Sequence, residues 1–285
     1  MSHHALQNAL VVALHDAGFV DAMHGDAEAT LAPLGLDAGE RAQLLAVDRR
    51  AFRTDALRAR RLLRTLAEEF KASTTLALAE TRSLAFAEAF FASRLFRAAV
   101  AERRSLAPAF GEYLAEAART GRLRAPQLAE IVRLELTCAR CRRDRDRAPS
   151  AGLALAPGVA AARFEAGTLE CVQAMEQYLF EVGLMPQVAL CDDAPRPPPL
   201  PALGGGEPLY LAFTPQSGAA GVSLTEIDEP LHRVLSAIAD LAVHGPPSRE
   251  DVAGALARAA RGTAPQLLID SLLDDGLLAE GPSGA

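Results

Sequence analysis

The sequence predicts a mostly α protein of the α+β class: an N-terminal helical bundle, then a small three-stranded sheet carrying three further helices. Three observations lead there. Apolar residues recur at helical spacing through the first half with little Gly or Pro inside the segments. Two short alternating segments follow a Pro/Gly-rich stretch, and three capped helical segments follow them.

In the first half, Leu45, Phe52, Ala56, Leu63, Leu66 and Phe70 keep to one stripe, which predicts a long helix from about Gly39 to Glu69. A break at Ser73 to Thr75 precedes a second helix. There Phe86 with Phe90, Phe91 with Leu95, and Phe96 with Val100 stand four residues apart, so this helix belongs at the centre of the bundle. Other helices are expected at about 5–23, 108–119 and 125–142, the last opening near Pro126. Arg49, Arg53, Arg60 and Arg64 form a basic line beside the apolar stripe. It is either a solvated face or a docking edge for an acidic partner.

Charge divides the chain. Residues 1–147 hold 23 Lys and Arg against 19 Asp and Glu, and the remainder holds 6 against 17. Between them the Arg-rich run Arg140 to Arg147 leads into Ala148-Pro-Ser-Ala-Gly152, which reads as a helix end and linker. The expected domains are therefore 1–147 and 153–285, the second containing a Pro/Gly-rich loop at 192–206.

In the second part, Val159 to Glu165 reads as a strand, and Thr168 is placed to cap a helix carrying Leu169, Val172, Met175, Leu179 and Val182. Asp192 to Pro201 contains five prolines and is followed by Gly204-Gly-Gly206, an extended or mobile loop. The glycines are not a phosphate loop, because no Lys-Ser or Lys-Thr pair follows them. Leu209 to Phe213 and Val222 to Ile227 then form a hairpin, each strand with one apolar face and joined by the turn Thr214 to Gly221. Helices follow at Pro230 to Val243, at Ser248 to Ala260 behind the capping box Ser248-Arg-Glu-Asp251, and at Pro265 to Asp275. The turn Arg261-Gly-Thr-Ala264 between the last two makes a helix-turn-helix arrangement, and Leu277-Leu278 begins a wing.

A winged-helix module of this kind often reads DNA, but its would-be recognition helix holds Asp270, Asp274 and Asp275 and neither Lys nor Arg. Residues 207–285 hold 11 acidic against 4 basic residues, so a polyanion is repelled and nucleic acid is not the expected partner. A sheet edge that adds a strand from another chain fits better, unless that edge is capped. The six histidines form no metal-ligand pattern, and there is no Gly-x-Ser-x-Gly elbow. Cys138-Ala-Arg-Cys141 lacks a second CxxC and reads as two incidental helix cysteines, with a metal role or, given the flanking arginines, a redox role left open. No catalytic residue, metal ligand or cofactor site is expected in this chain. Without a long apolar run or a secretory signal pattern, the expectation is a cytoplasmic protein with no membrane segment.

The segment Glu69 to Thr75, the aromatic run Phe86 to Phe96 with Tyr113-Leu114, the helix around Ile131 to Glu135, and the strand Leu209 to Phe213 leading to Leu231 resemble the accessory subunits of multinuclear non-haem iron-dependent oxidative enzymes. Those enzymes modify ribosomally made peptides, as in methanobactin biosynthesis. The resemblance spans nearly the whole chain and rests on diffuse patterns. It implies a non-catalytic subunit whose helical domain docks on the iron enzyme as a heterodimer, with Arg49, Arg53, Arg60 and Arg64 as the docking line. Its C-terminal module would resemble the recognition elements that bind precursor leaders, capturing the leader of a precursor peptide by strand addition. The iron would be held by the partner. The leader contacts carried over by topology are Val222, Ser223, Leu224, Thr225 and Glu226 on the second hairpin strand, with Leu267, Asp270 and Ser271 on the helix expected to face it. A related helical-domain family carries a DNA-binding description, against which the acidic helix speaks. Two other readings stay open: a winged-helix transcriptional regulator, and a small subunit of a ring-opening dioxygenase suggested by Gly35-Leu-Asp-Ala-Gly-Glu-Arg41.

Overall fold

The computed structural model describes residues 3–55, 57–183, 185–216, 221–259 and 264–281. It is 62% helical, mostly α with a small three-stranded antiparallel sheet, as the sequence predicts. The chain forms two compact units, Met1–Val132 with Val172–Pro199, and Arg133–Cys171 with Leu200–Ala285.

In the first unit the helices are α1 (His4–His15), α2 (Ala17–Gly25), α3 (Ala27–Leu31), α4 (Ala38–Ala46), α5 (Arg58–Glu69), α6 (Lys71–Thr81), α7 (Ala85–Glu88), α8 (Arg94–Ala101) and α9 (Leu106–Arg119). Three expected helices are interrupted, each by a short polar side chain that bonds to nearby backbone and offers the chain an alternative to the helical ladder. The segment expected at 5–23 breaks at Asp16, whose carboxylate accepts the Phe19 N–H and starts α2. The long helix expected from Gly39 to Glu69 breaks between α4 and α5. Asp48 and Asp55 there accept the N–H groups of Arg50 and Leu57, each two residues on. Ala56 of the expected stripe lies outside the described residues. The aromatic helix is likewise divided into α7, a 3-10 turn Ala89–Ala92 and α8, because the Ser93 hydroxyl caps α8 by accepting the Phe96 N–H.

The expected break at Ser73 to Thr75 does not occur. Those residues lie inside α6 and are buried, with the Thr75 hydroxyl donating to the Lys71 carbonyl at 2.6 Å; the break falls at Phe70 instead. The central place of the aromatics holds. Phe90 meets Phe110 edge-on at 5.3 Å and Phe96 at 5.5 Å, all three fully buried.

The helix α10 (Leu128–Asp144) carries the chain into the second unit. Then come β1 (Gly152–Leu155), β2 (Ala160–Phe164), α11 (Thr168–Val182), β3 (Leu209–Pro215), β4 (Val222–Glu226), α12 (Glu229–Val243), α13 (Arg249–Ala259), α14 (Pro265–Asp274) and β5 (Leu278–Gly281). Thr168 is the first residue of α11, and its hydroxyl donates to the Glu165 carbonyl. The capping box at α13 forms as read: the Ser248 hydroxyl accepts the Asp251 N–H, and the Asp251 carboxylate accepts the Ser248 N–H. The helix-turn-helix turn falls at residues that lie partly outside those described, as does the tip of the hairpin. β5 begins at the expected wing, and its partner is β1, whose first residue, Gly152, ends the stretch read as a linker and whose other residues have no element assigned from the sequence.

The three-stranded sheet runs β2-β3-β4, antiparallel throughout. Its registers place Ala212 opposite Ala161 and Thr225, and Phe213 opposite Ala160 and Leu224. Directly opposed residues share a face. One face therefore carries Ala161, Tyr210, Ala212, Ser223 and Thr225, and through Ala161 and Ala212 it packs on the core built by α12, α13 and α14 around Val234, Ile238, Leu256 and Ile269. The other face carries Phe164, Leu211 and Phe213, all buried, with the Arg133 guanidinium 4.4 Å above the Phe164 ring. β3 is thus covered on both faces, although the alternation of Leu209, Leu211 and Phe213 predicts one apolar face.

Candidate functional site: an open sheet edge

β3 has a strand on either side, whereas β4 has a ladder partner on one side among the described residues. Antiparallel ladders alternate between pairs that exchange both hydrogen bonds and pairs that exchange none. The Ile227 N–H donates to the Tyr210 carbonyl and the Gln216 N–H to the Gly221 carbonyl, which fixes the phase. With the register above, Ser223 and Thr225 turn their backbone groups toward β3. Val222, Leu224 and Glu226 turn theirs outward. Val222 and Ser223 are half-buried, while Leu224, Thr225 and Glu226 are exposed, Leu224 by 38%. An exposed leucine on an open edge is the combination that natural sheets usually avoid.

Glu226 makes no ion pair among the described residues, whereas the two acids that follow it are each engaged. The Asp228 carboxylate caps α12 by accepting the Leu231 N–H at 2.8 Å, and Glu229 lies 3.9 Å from Arg233. The strand ends where Ile227 turns into the helical core. That anchorage positions the edge without covering it.

The other expected peptide contacts lie on α14. Ile269 and Leu272 face the core, so Leu267, Asp270 and Ser271 fall on the outward side, Leu267 being 69% exposed. α14 packs against α13 and β5, while β4 packs against β3; Ile269 and Leu272 of α14 enter the core that Ile227, just past β4, also packs against. Asp270 is engaged, since Arg249 pairs with it and at 2.8 Å with Glu280, which ties α13 to α14 and β5. The sequence reading missed this clamp, because its members are distant in the chain.

In the first unit, Arg49, Arg53, Arg60 and Arg64 do not share one helix. Arg49 precedes the 3-10 turn containing Arg53, and Arg60 and Arg64 belong to α5. Each has an acidic neighbour: Asp21 serves Arg49 and Arg53, Glu88 lies 3.7 Å from Arg60, and Glu68 lies 3.1 Å from Arg64. A cavity of 620 Å³ opens in the same unit between α1, α2 and α8, where Arg97 meets the buried Asp16 at 3.3 Å.

Cys138, Cys141 and Cys171 are buried thiols outside any disulfide, and Cys191 is exposed. Burial, reinforced by Cys138, pushes the Cys141 thiol up to about 12, which overrides the flanking arginines and leaves it a poor nucleophile. Among the described residues no three His, Cys, Asp or Glu side chains gather as a metal site, and no helix is long and apolar enough to cross a membrane. His232 lies against the Tyr210 ring at 4.9 Å, and burial followed by the nearby Arg163 lowers its pKa.

No protein-family model and no curated protein matches this chain.

Proposed function

We propose that this chain is a non-catalytic peptide-binding component that takes the leader of a precursor peptide as an added strand on β4. The observation that carries the reading is the outward row of backbone N–H and C=O groups at Val222, Leu224 and Glu226, on a sheet whose middle strand is covered on both faces. Strand addition satisfies those groups with main-chain hydrogen bonds, and the side chains of β4 select among strands.

The bound peptide is presented to an iron-dependent oxidative enzyme, which holds the iron and docks on the helical unit as a heterodimer in the cytoplasm. This part rests on the resemblance in the sequence. Arg49, Arg53, Arg60 and Arg64 are proposed as docking residues that exchange intramolecular partners for acids of the enzyme. Their present ion pairs are exposed and each is worth little, so the exchange is cheap. Leu267, Asp270 and Ser271 are proposed as a second peptide contact. DNA binding is not favoured, because the outward side of α14 presents aspartates.

Co-expression with a candidate iron-dependent oxidative enzyme and precursor peptide tests the reading. A stable ternary complex, lost on deletion of the leader, supports it. Absence of leader affinity both with and without the enzyme overturns it.

A further inference from the structure

The open edge also defines which strand it accepts, given the strand-addition reading above. Backbone bonding to β4 is available only at Val222, Leu224 and Glu226, whose side chains share one face of the sheet. An incoming strand bonded there lays every second side chain beside that row. The intervening side chains meet Ser223 and Thr225, small neutral hydroxyls that discriminate little. Selectivity therefore resides in the row of three.

Leu224 stands beside the buried Phe213 with 38% of its surface uncovered, so an apolar side chain opposite it completes the burial. Glu226, two residues on and on the same face, is exposed and without an ion pair among the described residues. The nearby Asp228 is committed to its cap. A cation opposite Glu226 gains a cross-strand pair, and an anion there is repelled. The excess of 11 acidic over 4 basic residues across 207–285 adds attraction for a cationic strand. We infer that the peptide recognised at β4 is a strand-forming segment with an apolar residue placed two positions from a lysine or arginine.

Four labelled synthetic heptapeptides test this by fluorescence anisotropy with the full chain: Ser-Lys-Thr-Leu-Thr-Val-Ser, its order-reversed form Ser-Val-Thr-Leu-Thr-Lys-Ser, and both with Glu in place of Lys. The expected result is that one lysine peptide binds at least ~3-fold tighter than its glutamate counterpart. In Glu226→Lys the preference inverts, and the favoured order gives the direction of addition. Equal binding of Lys and Glu peptides, or a preference that survives Glu226→Lys, overturns this inference; if Leu224→Pro still abolishes that binding, the strand-addition reading stands. Binding of none of the four, or binding indifferent to Leu224→Pro in a protein with unchanged circular dichroism, overturns both.

Discussion

Leu224 lies directly opposite Phe213 in the β3–β4 ladder, yet Phe213 is fully buried and Leu224 is 38% exposed. The two face the same way, and the difference comes from ladder position. Among the described residues Phe213 has a strand on each side, and Leu224 has one.

That asymmetry makes proline a directional probe. In Leu224→Pro the lost N–H points outward, so the fold is retained and the melting temperature changes little, while the proposed leader binding is expected to be lost. In Thr225→Pro the lost N–H belongs to the β3 ladder, and the cost is about 2–3 kcal/mol. Urea unfolding of both variants, beside leader titration, reads the contrast. Equal destabilisation by the two would show that the assigned phase of the edge is wrong.

The thiols are predicted to separate by burial. With Cys141 pushed up to about 12 and Cys138 and Cys171 buried, a thiol reagent at neutral pH labels Cys191 first and the other three only on unfolding. Peptide mapping after timed alkylation gives the order. Rapid labelling of Cys141 in the native protein would contradict its burial and revive a redox role.

His232 gives a pH dependence of known sign. Its folded-state pKa lies below the ordinary 6.5, so the unfolded chain takes up a proton that the folded one resists. Stability is full above 6.5 and declines as pH falls from there toward the folded value. Melting curves between about pH 5 and pH 8 for the wild type and His232→Gln are expected to differ in slope on the acid side, the variant being flatter.

Phe90 is the best single test of the helical unit, because its ring meets Phe96, Phe110 and Tyr113 with no exposure. Phe90→Ala is expected to cost about 3–5 kcal/mol, read from urea unfolding. The β4 edge belongs to the other compact unit, so the proposed leader affinity is expected to be unchanged at temperatures where the variant stays folded.

What could be read from the sequence was mostly local. The hairpin strands show in their alternation, and the Ser248–Asp251 box shows because its bonds span three residues. The broken helices were hidden for a related reason. Periodicity marks which face is apolar, and Leu45, Phe52 and Leu63 keep their period across a gap that Asp48 and Asp55 open by bonding to backbone two residues away. The residues of β4 were legible as a strand, but which of them turn their backbone outward was not. That depends on the register with β3. The Arg249 clamp and the β1–β5 pairing join residues far apart in the chain, and no local signal announces them.

The β1–β5 pairing also bears on how the protein is made. Gly152 pairs with Gly281 and Leu155 with Leu278, so β1 leaves the ribosome long before its partner exists. Residues 172–199, which belong to the other compact unit, emerge in between. The second unit cannot close segment by segment during translation, and its last ladder waits for synthesis through Gly281. Until then β1 lacks its ladder partner in the nascent chain, an interval in which a chaperone could hold it.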